Sequence, residues 1–194
     1  MKTITVEALL KSDLITTEES YDLIERFVLN PQITAPELLE LDLPAKNRVE
    51  ALLQPEFLSE SRLRELACSF AEHTLSVFES TAPKDQRPRR CVNIARLHLA
   101  GRVSMKELET AIREARPAMW QFQRTEHESA FHASYAVLWL NYEDAAAMAR
   151  EVALCAQKAA HRKVWESRKS NVEPMIAREK EAVWQLAQIV KKLY

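Results

Sequence analysis

His127 and His132 stand five residues apart with Glu128 beside the first, the composition of a zinc-protease helix. That chemistry needs its two histidines four residues apart, so that both imidazoles leave one helix face toward one metal. Five residues at 3.6 per turn set them about 140° apart. One histidine is therefore expected to face inward and the other outward, with no metal between them. Cys68, Cys91 and Cys155 form no C-x-x-C pair, are odd in number, and each falls within a helical pattern. They read as small buried side chains in a reducing compartment. A phosphate-cradling loop needs several glycines, and Gly101 is the only one here. Serine, histidine and acidic side chains occur outside any nucleophile motif, and no carboxylate pair is singled out for acid–base work. The expectation is a protein without catalytic residues, metal or cofactor.

The charged residues carry more information. Lys84, Arg87, Arg89 and Arg90 form a basic run, and Lys158, His161, Arg162, Lys163, Arg168 and Lys169 form another. Arginine forks suit phosphate, which makes the first run a candidate phosphate site. Against nucleic-acid binding stand a net charge of −1 and a single interleaved aromatic residue, Trp165. The Arg-Pro-Arg-Arg run also reads as a helix start whose arginines pair with nearby acids. The acids are concentrated at the other end of the chain. Up to Leu58 there are eleven Asp or Glu against five Lys or Arg, and from Ser59 onward seventeen against twenty-two. Glu18, Glu19, Asp22, Glu37, Glu40 and Asp42 are thus either a surface that attracts a basic partner or a solvated face partly paired with the basic body.

The elements that hold these residues are helices. Hairpins and bulges draw on glycine, and one glycine in 194 residues is a poor supply for strands. An all-α fold follows: a compact multi-helix bundle over residues 59–194 with an N-terminal arm of short helices over residues 1–58. In the bundle, Leu63, Leu66, Ala67, Phe70, Ala71, Thr74, Leu75 and Phe78 recur at helical spacing behind Ser59, a candidate N-cap. Asp85 is the plausible cap of the next helix, with Pro88 in its first turn and Gly101 just past its end. Ser104 to Glu107 has capping-box spacing. Pro117 ends or kinks the third helix. A fourth runs from about His127 to Leu140, and Asn141 is the candidate cap of an alanine-rich helix over about 145–165. The final helix, from about Val172 to Leu193, is read as burying Val172, Met175, Ile176, Val183, Leu186, Ala187 and Val190. In the arm, a candidate helix over 6–10 precedes a capping box at Thr16 to Glu19, which opens a stripe of Tyr21, Leu23, Ile24, Phe27 and Val28. Thr34-Ala35-Pro36-Glu37 and Pro44 open two more short helices. Helices this short need a body to dock on.

The run Asp85-x-Arg87-Pro88-Arg89-Arg90-Cys91-x-x-x-Ala95-Arg96-x-x-x-x-Gly101-x-Val103 follows Leu63-x-x-x-Ala67-x-x-x-Ala71-Glu72. Together these segments resemble the alanine-rich helical putative immunity proteins of bacterial polymorphic toxin systems. Phe131-His132-Ala133, the alanine-rich 145–160 and Trp184-Gln185 are similar to the second half of that family. The resemblance runs from about Arg62 to the C-terminus. Tyr135, Trp139 and Tyr142 are bulkier than the family pattern, and the first fifty-odd residues lie outside it. The resemblance implies a non-catalytic bacterial immunity protein that binds and neutralises a cognate protein toxin. The acidic arm residues are its expected partner-facing groups. The alternative is a protein inhibitor or adaptor acting on a nucleic-acid machine, phage-borne forms included, through phosphate mimicry or direct contact. With no leader-like start and no apolar run near the roughly 20 residues of a membrane span, a cytoplasmic protein is expected.

Overall fold

The computed structural model describes residues 3–10, 31–167 and 172–194. Thr16, Glu19 and the stripe from Tyr21 to Val28 lie outside them. The described part of the arm begins with something the helical reading left out. Thr3–Thr5 (β1) pairs antiparallel with Gln32–Thr34 (β2), placing Thr3 opposite Thr34 and Ile4 opposite Ile33. Each strand is a β-branched triplet or close to one, with its central isoleucine buried, which suits a short pleated ribbon. Three residues are too few for a periodicity to show. Val6–Leu10 (α1) follows directly, its Val6 N–H donating to the Pro31 carbonyl at 2.9 Å. Ala35–Glu40 (α2) opens where expected, with Pro36 in its first turn, and does so on a capping box. The Glu37 N–H donates to Thr34 Oγ1, while the Thr34 N–H donates back to Glu37 Oε2 at 2.9 Å. Ala45–Leu52 (α3) follows Pro44 as expected.

Glu60–Thr81 (α4) is the spine of the bundle, with Leu63, Leu66, Phe70, Leu75 and Phe78 fully buried along one face. Ser59 caps it by accepting from the Arg62 N–H. Arg87–Leu99 (α5) starts one residue away from the expected geometry. Gln86 holds the cap position without a side-chain bond, and Asp85 accepts from the Arg87 N–H at 3.1 Å instead. Its end is closed by two backbone bonds, Gly101 N–H to the His98 carbonyl and Arg102 N–H to the Leu97 carbonyl, both 2.9 Å. This double closure requires a left-handed residue, and Gly101 has φ +68. A Cβ at Gly101 meets nothing within 4 Å, so Gly101→Ala tests the backbone alone. Its expected cost is about 1–2 kcal/mol in urea unfolding, the penalty of left-handed backbone; an unchanged midpoint would show that the turn relaxes freely.

Met105–Trp120 (α6) carries the Ser104/Glu107 capping box and continues past Pro117 for less than a turn. Glu128–Leu138 (α7) leads to Ala145–Glu166 (α8), whose cap is Asp144 and not Asn141. Asp144 Oδ1 accepts from the N–H groups of Ala146 and Ala147 at 2.8 and 2.9 Å. Those bonds hold its carboxyl below the usual carboxylate range. Ala145, Ala146, Ala149, Ala153, Ala156 and Ala159 are buried on α8, and Ala130, Ala133 and Ala136 on α7. With side chains this small, α8 packs closely against α4, α7 and Val172–Leu193 (α9).

The largest departure is on α9. Among its described side chains Pro174, Glu181, Ala182, Gln185, Leu186 and Ile189 are buried, while Met175, Ile176 and Val183 are 61%, 47% and 53% exposed. Relative to the expected stripe the helix is rotated by one residue, about 100°. Polar bonds explain why this face turns inward. Gln157 Nε2 donates to Gln185 Oε1 at 2.9 Å, and Gln185 Nε2 donates to the Ala153 carbonyl and to Glu181 Oε1, both at 3.1 Å. Glu181 also faces His73 Nδ1 at 3.2 Å, and His73 stacks on Trp184 with centroids 3.7 Å apart. A polar face whose hydrogen bonds are met is compatible with burial.

Candidate partner-binding surface

The arm is anchored by Ile4, Ile33, Leu38, Leu41, Leu43 and Leu52, which belong to the same apolar core as α4 and α8. Its attachment to α9 is specific. The Ala45 N–H donates to Glu179 Oε1 at 2.9 Å, at the point where α3 packs on α9. On the other side Arg150 Nη1 donates to the Leu53 carbonyl and to Gln54 Oε1. The alternation around residues 38–43 then fixes which groups face outward. Leu38, Leu41 and Leu43 go in, and Glu40 and Asp42 come out.

Of the six acids expected to meet a partner, Glu40 and Asp42 are exposed on the arm. Glu37 is half-buried and engaged with Thr34 at the start of α2. Glu18, Glu19 and Asp22 lie outside the described residues. The apolar ridge that α9 turns outward lies on the helix to which α3, which follows the exposed pair in the chain, is bonded. Ile176 and Val183 stand three residues before and four residues after Glu179, so they share its helix face. That is the face to which Ala45, three residues past Asp42, is bonded. Lys180 is exposed on the same side, and Ala187 continues the ridge. Apolar side chains rimmed by exposed charges have the layout of a protein interface. The ridge residues are legible in the sequence as apolar, and their spacing alone places them in the core. The signal that separates the two is that α9 carries apolar residues on two faces, more than one interface consumes.

The basic run is arranged differently from a phosphate site. Arg87 forms a bidentate pair with Asp85 at 2.9 and 2.6 Å, and Arg89 one with Glu79 at 2.8 and 3.0 Å. Arg90 Nη1 reaches Glu114 at 3.1 Å, and Arg96 joins Glu72 at 2.6 Å. The Asp85 carboxyl is held below its ordinary range chiefly by the Arg87 hydrogen bond, and Arg87 and Arg89 are raised by their partners. These forks tie α5 to α4 and to α6. Lys84 is exposed, with no such partner among the described residues.

The histidine pair divides as its spacing requires. His127 is exposed at the start of α7, and His132 is half-buried within it. All three cysteines are buried free thiols, and burial pushes Cys68 up to about 11 and Cys91 and Cys155 up to about 12. At those values the thiolate is scarcely formed near neutrality. Among the described residues no group of three or more His, Cys, Asp or Glu is placed to hold a metal ion, and no helix is long and apolar enough to cross a membrane.

Comparison with known proteins gives a family match. The family model described as Imm-5 like putative immunity protein covers residues 55–191, more than half of the chain. No curated protein and no solved structure matches.

Proposed function

The chain belongs to the Imm-5 like putative immunity protein family, and from that premise we propose that it neutralises a cognate protein toxin by binding it, without catalysis. The observation that supports this most directly is the exposed α9 ridge of Ile176 and Val183 on the helix to which the acidic arm is bonded through Ala45 and Glu179. The ridge supplies desolvation energy, which is where tight binding originates. Glu40 and Asp42 supply a negative rim that speeds encounter with a basic toxin surface. The complementary toxin face therefore presents apolar side chains flanked by lysine or arginine. The arginine run offers no comparable surface, since Arg87, Arg89 and Arg90 are occupied by carboxylates. For that reason direct contact with nucleic acid is the less supported mechanism.

The test is to express each gene neighbouring this one alone, score growth arrest, and repeat with this chain co-expressed. One neighbour is expected to arrest growth and this chain to restore it. Growth arrest that this chain leaves untouched, or neighbours that are all harmless, would overturn the reading. In the rescued pair, Glu40→Lys with Asp42→Lys is expected to slow association by about tenfold at low salt and far less at high salt, since rim charges act mainly on the on-rate. An on-rate that ignores both the substitutions and the salt would remove the arm from the mechanism.

A further inference from the structure

On the flank where α8 ends and α9 begins, a cavity of about 310 Å³ is lined by His132 of α7, Lys158, His161 and Arg162 of α8, and Arg178 of α9. Every one of these side chains is a cation or becomes one on protonation, and among the described residues no carboxylate is in the lining. Lys158, His161 and Arg162 are spaced i, i+3 and i+4, so they rise from one helix face, where like charges repel. Two nitrogens here, His132 Nδ1 and Arg178 Nε, are buried without a hydrogen-bond partner among the described residues. Buried polar groups in folded proteins are almost always bonded, and both of these unmet nitrogens belong to side chains that line this cavity.

We propose that this recess binds a dianionic phosphoryl group, either inorganic phosphate or the terminal phosphate of a small phosphomonoester. Charge selects that class. Glu128 Oε2 lies 2.9 Å from Arg162 Nε and balances it. Lys158 and Arg178 have no ion pair among the described residues, so about two positive charges are left, matching a dianion better than a single carboxylate. The nearby Glu166 is held by Ser129, whose N–H and hydroxyl donate to it at 2.6 and 2.7 Å, which keeps it from competing. A bound oxyanion would accept from Arg178 Nε–H, from Lys158 Nζ and from His132, whose neutral ring can carry its proton on Nδ1.

The histidines fit the same arrangement. Burial, then Lys158 and Arg162, hold His132 down to about 4, with Glu128 and Glu166 opposing weakly. Burial, then Arg162 and Arg178, lower His161. An anion in the recess reverses the charge they face, so binding takes up protons and strengthens as the pH falls.

The test is titration calorimetry on the full chain at low salt with inorganic phosphate, sulfate, a nucleoside monophosphate and acetate as separate probes. Phosphate and sulfate are expected to saturate one site with a dissociation constant of about 1 mM or tighter. Acetate should fail to saturate. Lys158→Gln and Arg178→Gln should each weaken binding about tenfold or more, the loss of one charge-assisted bond, whereas Lys84→Gln, outside the recess, should not. Thermal unfolding of each variant in ligand-free buffer separates lost binding from lost fold. Sulfate stays dianionic throughout, so its affinity rising from about pH 8 to about pH 6 would report proton uptake by the histidines. A nucleoside monophosphate bound more tightly than phosphate identifies the phosphomonoester as the source; equal affinity identifies the free ion. Non-saturating heats with both dianions, equal affinity for acetate, or binding that survives both substitutions would overturn the assignment. None of these results depends on toxin binding, so they leave the neutralisation reading to its own test.

Discussion

Ile176→Glu combined with Val183→Glu is expected to weaken toxin binding by about a thousandfold, through two desolvated anchors at roughly 2 kcal/mol each. Glutamate is chosen because it is a good helix former and leaves the acidic character of the surface intact. Only the apolar contribution is removed. Both positions are about half exposed, so the unfolding midpoint should move little. Growth rescue and binding by the purified variant check the two halves of this statement. Full rescue by the double variant would place the anchors elsewhere.

Gln185→Leu is expected to destabilise the fold by about 2–3 kcal/mol, because it leaves the buried Gln157 amide, the Ala153 carbonyl and Glu181 short of a partner. For a chain of this size that corresponds to roughly 5–10 °C in Tm. Replacing Gln157 and Gln185 together by Leu should recover at least half of the loss, since the orphaned amide goes with its partner. Urea unfolding of the wild type, the single and the double variant makes the comparison. A single variant as stable as wild type would mean that this network does not hold α9 in its register.

The same network explains why the face of α9 was illegible in the sequence. A pattern of apolar residues identifies a buried face only when the competing face is polar and unpaired. Here the competing face includes Glu181 and Gln185, whose partners His73, Ala153 and Gln157 are 28 or more residues away. Local chemistry was read more successfully. The capping box at Ser104, the cap at Ser59 and the left-handed closure at Gly101 depend on residues within a few positions of one another, and all three are present. Asn141 is a suitable cap by residue type, but the backbone enters α8 three residues later, at Asp144. The β1–β2 ribbon joins triplets 27 or more residues apart, beyond the reach of any short window.

The surface was legible in part. That the acids gather in the arm was visible from a count, and the alternation of Leu38, Leu41 and Leu43 decides that Glu40 and Asp42 point outward. That Ala45 is bonded to Glu179, which brings the arm to the outward ridge of α9, is a tertiary fact. The arginines of the basic run likewise meet Glu79 and Glu114 only once α4, α5 and α6 have packed.

Amide hydrogen exchange across this chain, free and in complex with the toxin that it rescues, puts the shared face of α9 and the arm to the most direct trial. Binding through the ridge predicts slowed exchange concentrated at residues 176–187 and 38–45, with α5 and α6 unchanged. Protection confined to α5 and α6, with α9 exchanging as in the free chain, would contradict it.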